Sequence, residues 1–176
     1  MATFSIRKAR PADAESLLEL TSCVLKESLF SLTEPDELYY TPEEEKKWIE
    51  ESTQNPNHLI LVVEADDRIV GSLDFSNGHR RRISHTGDLG MQVSTDFRNQ
   101  GVGTALMEAL LDWANQNPTI ERISLRVHSD NARAIHLYEK MGFEKEGHLK
   151  GELKYGPGQY VDTFIYTKWI KNQQFC

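Results

Sequence analysis

The stretch Arg98-Asn99-Gln100-Gly101-Val102-Gly103-Thr104 follows a strand-like run, Gly90-Met91-Gln92-Val93, and opens a segment whose apolar residues fall at Val102, Ala105, Leu106, Ala109, Leu110 and Trp113. That spacing is the signature of an amphipathic helix, so the chain passes from strand to helix across two glycines. Glycine has no Cβ to hold a bulky ligand away from the main chain, and the amides of a first helical turn have no partners within the helix. With the positive end of the helix dipole and the Arg98 side chain, those amides make a cradle suited to a phosphate or pyrophosphate.

Two common nucleotide motifs are excluded by inspection. A P-loop needs Gly-Lys-Ser/Thr after four intervening residues, and the lysine is missing. A dinucleotide fingerprint needs a third glycine where Leu106 stands, and no ribose-binding acid follows at the end of the next strand.

The stretch instead fits Gln/Arg-x-x-Gly-x-Gly/Ala, with Arg98, Gly101 and Gly103 in the defined places. About thirty residues later, beyond the strand-like Ile123-Ser124-Leu125-Arg126-Val127, comes a second block. It reads Asn131-Ala132-Arg133-Ala134-Ile135-His136-Leu137-Tyr138-Glu139-Lys140-Met141-Gly142-Phe143 and fits Asn-x-x-Ala-x-x-x-Tyr-x-x-x-Gly-Phe. In this order the two blocks resemble the GNAT family of N-acetyltransferases. Phe4 to Ala9 is similar to that family's first strand, and Tyr160 to Tyr166 to its C-terminal part, so the resemblance covers nearly the whole chain. It implies an α/β fold: a single mixed central sheet of about seven strands flanked by about four helices, splayed at a coenzyme cleft, in one domain over residues 3–171.

The resemblance also implies a cosubstrate, acetyl-coenzyme A. The amides of Gln100, Gly101, Val102, Gly103 and Thr104 would hold its pyrophosphate, with Arg98 and Asn99 completing the loop. Its pantetheine arm would lie as an added strand against the main chain of Gln92 and Val93, as exposed strand groups allow. Asn131, Ala134 and Tyr138 would flank the pantetheine and sulfur end.

Composition fits this reading. The 176 residues suffice for a core without disulfides or metal, and 39% hydrophobic with 27% charged residues is globular rather than disordered. The longest apolar run, Leu59 to Val63, stops at Glu64, and Met1 to Ser5 has no signal-peptide character, so a cytoplasmic protein away from membranes is expected. Cys23 and Cys176 have no metal-ligand spacing and the histidines form no His-Glu-x-x-His, so no metal site is expected. A net charge of −7 argues against a nucleic-acid partner, with Arg80-Arg81-Arg82 read as a loop.

The local signals give an ordered series of elements. A strand over Phe4 to Lys8 leads to a helix from about Pro11, with Leu17, Leu18 and Leu20 on its core face. After an irregular connection, Leu29 to Glu37, a second helix starts with Thr41 as cap and Glu44 closing a capping box. Strands over His58 to Ala65 and Ile69 to Ser76 form a hairpin through Asp66-Asp67-Arg68, and a basic loop, Asn77 to His85, precedes a strand from Thr86 to Val93.

Acetyl transfer from a thioester to an amine needs a proton acceptor for the amine, a donor for the tetrahedral oxyanion and an acid for the departing thiolate. The resemblance implies Tyr138 as the acid, Asp88 as the base, with a water chain as the alternative, and the Val93 amide as the oxyanion donor. Residues Glu34 to Glu51 carry eight acids, Glu34, Asp36, Glu37, Glu43, Glu44, Glu45, Glu50 and Glu51. They read either as an acidic rim that draws a cationic amine or as a solvated helix face, and Tyr39 and Tyr40 either pack an acceptor or finish the core. The chain resembles bacterial acetyltransferases of small amines, amino acids or polyamines first, and those of ribosomal-protein N-termini second. A peptide amine is thus the alternative acceptor, and a non-catalytic coenzyme A sensor the alternative class. Pairing as a homodimer is also expected from the resemblance.

Overall fold

The computed structural model describes residues 3–171, so Cys176 lies outside them. Its elements follow in the order β1 (Ser5–Lys8), α1 (Ala14–Glu27), α2 (Pro42–Gln54), β2 (Leu59–Ala65), β3 (Arg68–Asn77), β4 (Thr86–Val93), α3 (Val102–Gln116), β5 (Arg122–His128), α4 (Ala132–Lys140), β6 (Glu144–Gly156) and β7 (Gln159–Trp169). The seven strands are ordered β1-β2-β3-β4-β5-β7-β6. The β4–β5 pair is parallel and the β1–β2, β2–β3, β5–β7 and β6–β7 pairs are antiparallel, so the sheet is mixed. The expected fold class is therefore the observed one.

Two compact units divide the chain. The first, residues 1–76 with 90–110, holds β1 to β3, α1, α2, the end of β4 and the start of α3. The β2–β3 hairpin turns at Asp66 and Asp67, whose φ values of 50° and 57° are those of a turn that matches the twist of its strands. Leu17 of α1 and Ile49 of α2 pack with Ile60 and Val62 of β2, closing a core over one sheet face. Pro11–Asp13 forms a short 3-10 turn before α1. Asp13 accepts from Arg7 (2.6 Å) and from the Arg10 main chain (2.7 Å), which fixes the entry to α1. The Thr41 side chain accepts from Glu44 N–H and Glu44 accepts from Thr41 N–H, the reciprocal box that starts α2.

The second unit, residues 77–89 with 111–176, carries the start of β4, the rest of α3, and β5 to β7. The parallel ladder joins Thr86, Gly87 and Asp88 to Arg122, Ile123 and Ser124. The β6–β7 hairpin changes register three times, and Gly158 takes φ 73° at its turn. The basic loop after β3 contains a 3-10 turn over Arg81–Ile83. No helix among the described residues is long and apolar enough to cross a membrane, and none of their His, Cys, Asp and Glu side chains form a metal-holding group.

Candidate active site

The loop Arg98 to Gly101 joins β4 to α3. Asn99 and Gly101 take φ values of 60° and 88°, and the Gly101 carbonyl accepts from Ala105 N–H at 2.9 Å, so Gly101 stands at the cap and α3 begins at Val102. The left-handed turn at Gly101 has nothing within 4 Å of where a Cβ would lie, so the loop is open at the residue that precedes the first turn of α3. Val102 is buried, and its Cγ1 would lie 3.2 Å from a Cβ at Gly71 of β3, so the start of α3 is seated directly on that strand. Gln100 Nε2 donates to the Asp96 carbonyl at 2.5 Å and so braces the loop from within.

Arg98 also braces the loop. Its Nε donates to the Val93 carbonyl at 3.1 Å, tying the loop to the end of β4. Ser94 N–H donates to the Val70 carbonyl at 2.9 Å and the Gln92 carbonyl would lie 3.4 Å from a Cβ at Gly71 of β3, so the alternation of an extended chain turns the main chain of Val93 the other way. Of the two residues expected to meet a pantetheine arm, Val93 is therefore the one whose main chain faces outward. Gln92 contributes its side chain, with Nε2 donating to Thr21 Oγ1 (2.8 Å) and Ser72 Oγ (3.1 Å).

Opposite Gly90 on β3 stands Asp74, a residue the local sequence patterns do not single out. Its carboxylate oxygen would be 2.8 Å from a Cβ at Gly90. Burial lifts this carboxyl from 3.8 to about 6, while a bond from its own main-chain N–H works in the other direction. Glu45 on α2 is raised as well, by burial first and by the charge of Asp74 second. Seven of the eight acids between Glu34 and Glu51 are exposed and form a solvated face, whereas Glu45 is half-buried one helical turn before the fully buried Ile49. Tyr39 and Tyr40 are 79% and 67% exposed, so they do not finish the core.

In the second unit, Asn131 caps α4 by accepting from Ala134 N–H at 3.2 Å. Ala134 is half-buried one turn before Tyr138, which is 7% exposed beside the Phe143 ring. Burial pushes the Tyr138 hydroxyl up to about 12, so it holds its proton at neutral pH. Asp88 is exposed on β4 and pairs in register with Ser124.

The model of the Acetyltransferase (GNAT) family matches residues 25–143, more than half of the chain. The chain belongs to this family. It is an N-acetyltransferase, and acetyl-coenzyme A is its acetyl donor. It is similar to the L-amino acid N-acetyltransferase AaaT of Escherichia coli, with 38% identity over 69% of this chain and 74% of that one. The spermidine N(1)-acetyltransferase of Vibrio cholerae is 26% identical over 68% of this chain and 70% of its own. Among solved structures, a GNAT-family acetyltransferase from Streptococcus pneumoniae superposes with a TM-score of 0.92 at 28% identity, covering 96% of this chain and 100% of that one.

Proposed function

We propose that residues 3–171 work as one domain that transfers the acetyl group of acetyl-coenzyme A to the primary amine of a small molecule, by direct attack within a ternary complex. The observation that carries this is the loop at the start of α3, where a left-handed Gly101 precedes the first-turn amides and Arg98 fastens the loop to Val93. Those amides suit the pyrophosphate, and the outward N–H of Val93 suits the thioester oxygen as its charge develops. Holding both reactants in one site supplies several kcal/mol of the barrier through orientation alone. Tyr138 keeps its proton until the thiolate leaves and is the acid we assign to it. For the proton acceptor the family resemblance implies Asp88, which is exposed on β4, with a water chain as the alternative.

The acceptor is a small amine, an amino acid or a polyamine. Likeness to the L-amino acid and spermidine enzymes supports that choice. The test follows thiol release from acetyl-coenzyme A, with mass spectrometry of the products, across amino acids, polyamines and N-terminal peptides. An acetylated amino acid or polyamine is the expected result. Acetylated peptides alone would transfer the assignment to protein acceptors, and coenzyme binding without any turnover would favour a sensor.

A further inference from the structure

Polarity changes strand by strand across the sheet face that α1 and α2 cover. On β2 that face presents Ile60 and Val62 to the core with Leu17 and Ile49. Their register partners on β3 are Asp74 and Ser72, both polar. On β4 the face presents Gln92 opposite Ser72, and at Gly90 opposite Asp74 it presents no side chain at all. The Asp74 carboxylate occupies the space that a side chain at Gly90 would take. Asp74 makes no ion pair among the described residues, and the charged group facing it is Glu45 of α2, since Ile60 and Gly90 bring none. A half-buried carboxylate with a second acid near it and no cation is an arrangement that an incoming ammonium completes. Thr21, Gln92 and Ser72 continue the polar lining toward Val93, where the thioester is assigned.

We propose that Asp74, leaning over Gly90, rather than Asp88, is the proton acceptor of the reaction, and that Glu45 supplies the second negative charge that draws the acceptor in as an ammonium. This rests on the acetyl-transfer reading above. One proton passes from the ammonium to the Asp74 carboxylate, and the freed amine forms the C–N bond at the thioester carbon. The C–S bond breaks as the adduct collapses, the second nitrogen proton ends on the departing sulfur, and Asp74 returns its proton to water. Asp74 must be ionised to act, so kcat/KM falls as pH drops through about 6.

The test measures kcat/KM against pH, with an amine the wild type acetylates, for wild type, D74N, G90A, D88N and the D74N/G90A pair, together with coenzyme Kd by calorimetry. D74N is expected to lose about a hundredfold or more and to lose the acid limb near pH 6, at unchanged coenzyme affinity. In G90A the new methyl displaces the carboxylate and lowers kcat/KM, yet adds nothing once Asp74 is Asn, because the two changes remove one interaction. D74N within about threefold of wild type, an acid limb lost in D88N but kept in D74N, or fully additive G90A and D74N losses would each overturn the assignment. A wild type that acetylates no amine would overturn the acetyl-transfer reading and the role of Asp74 with it.

Discussion

Replacing Asp74 with Asn tests its burial without reference to catalysis. The carboxyl titrates near 3.8 when free and near 6 in the folded chain. For an acid raised in this way the folded state is favoured while the group stays protonated, and the advantage disappears as pH rises from about 4 through about 6. A tenfold change in an acid's dissociation constant is worth about 1.4 kcal/mol, so ionising Asp74 inside the fold costs about 2–3 kcal/mol. Asn has the same shape and never ionises. The D74N protein should therefore gain about 2–3 kcal/mol over wild type at pH 8 relative to their difference at pH 4, a large fraction of the stability of a typical domain. Urea unfolding at both pH values, followed by tryptophan fluorescence, measures it. Glu45 shifts in the same sense once its charged neighbour is gone, so it adds to the gain. A difference between the two proteins that stays flat with pH would refute the reasoning, because it would mean that the ionised carboxylate is already compensated in the fold.

Three further outcomes follow from the site. Tyr138→Phe should lower turnover by about ten- to a thousandfold while coenzyme affinity is kept, and unchanged turnover would remove Tyr138 from the mechanism. Gly103→Trp should abolish coenzyme binding, measured by calorimetry, with the circular dichroism spectrum preserved; retained micromolar affinity would argue against the loop as the pyrophosphate cradle. Asn131→Ala removes the cap of α4 and should cost about 1 kcal/mol in urea unfolding, with an unchanged midpoint as the contrary result.

Local grammar was enough to read the loop and the helices. Gly101 takes the left-handed conformation that glycine favours, α3 starts at Val102 as its apolar spacing requires, and the Thr41 and Glu44 box opens α2. The acceptor side was not legible in the same way. Ser72, Asp74 and Ser76 alternate with Leu73 and Phe75, which on sequence alone is the pattern of a strand with one wet face. Helices α1 and α2 cover part of that face, and nothing in the strand's own sequence announces the cover. Glu45 was hidden among seven acids that do face water. The edge strand β6 escaped as well: its half-buried positions Gly147, Leu149, Gly151 and Leu153 alternate with exposed ones, but two of the four are glycines, which carry no apolar signal.

The placement of Asp74 also explains why the first unit joins two different environments on one sheet face. The carboxylate must stay ionised and close to the reacting amine, and water alone would leave it at its ordinary acidity, too weak a base for an ammonium. Partial burial raises its basicity, but a half-buried charge with no cation beside it is held only by a scaffold that does not yield. Leu17, Ile49, Ile60 and Val62 provide that scaffold immediately beside it. Ile49 also lies one turn beyond Glu45, so the helix that seals the core is the one that brings the second acid to Asp74. The apolar half of the face thus offsets the destabilisation that the polar half introduces, and the energy stored in the unpaired carboxylate is released when a substrate ammonium arrives.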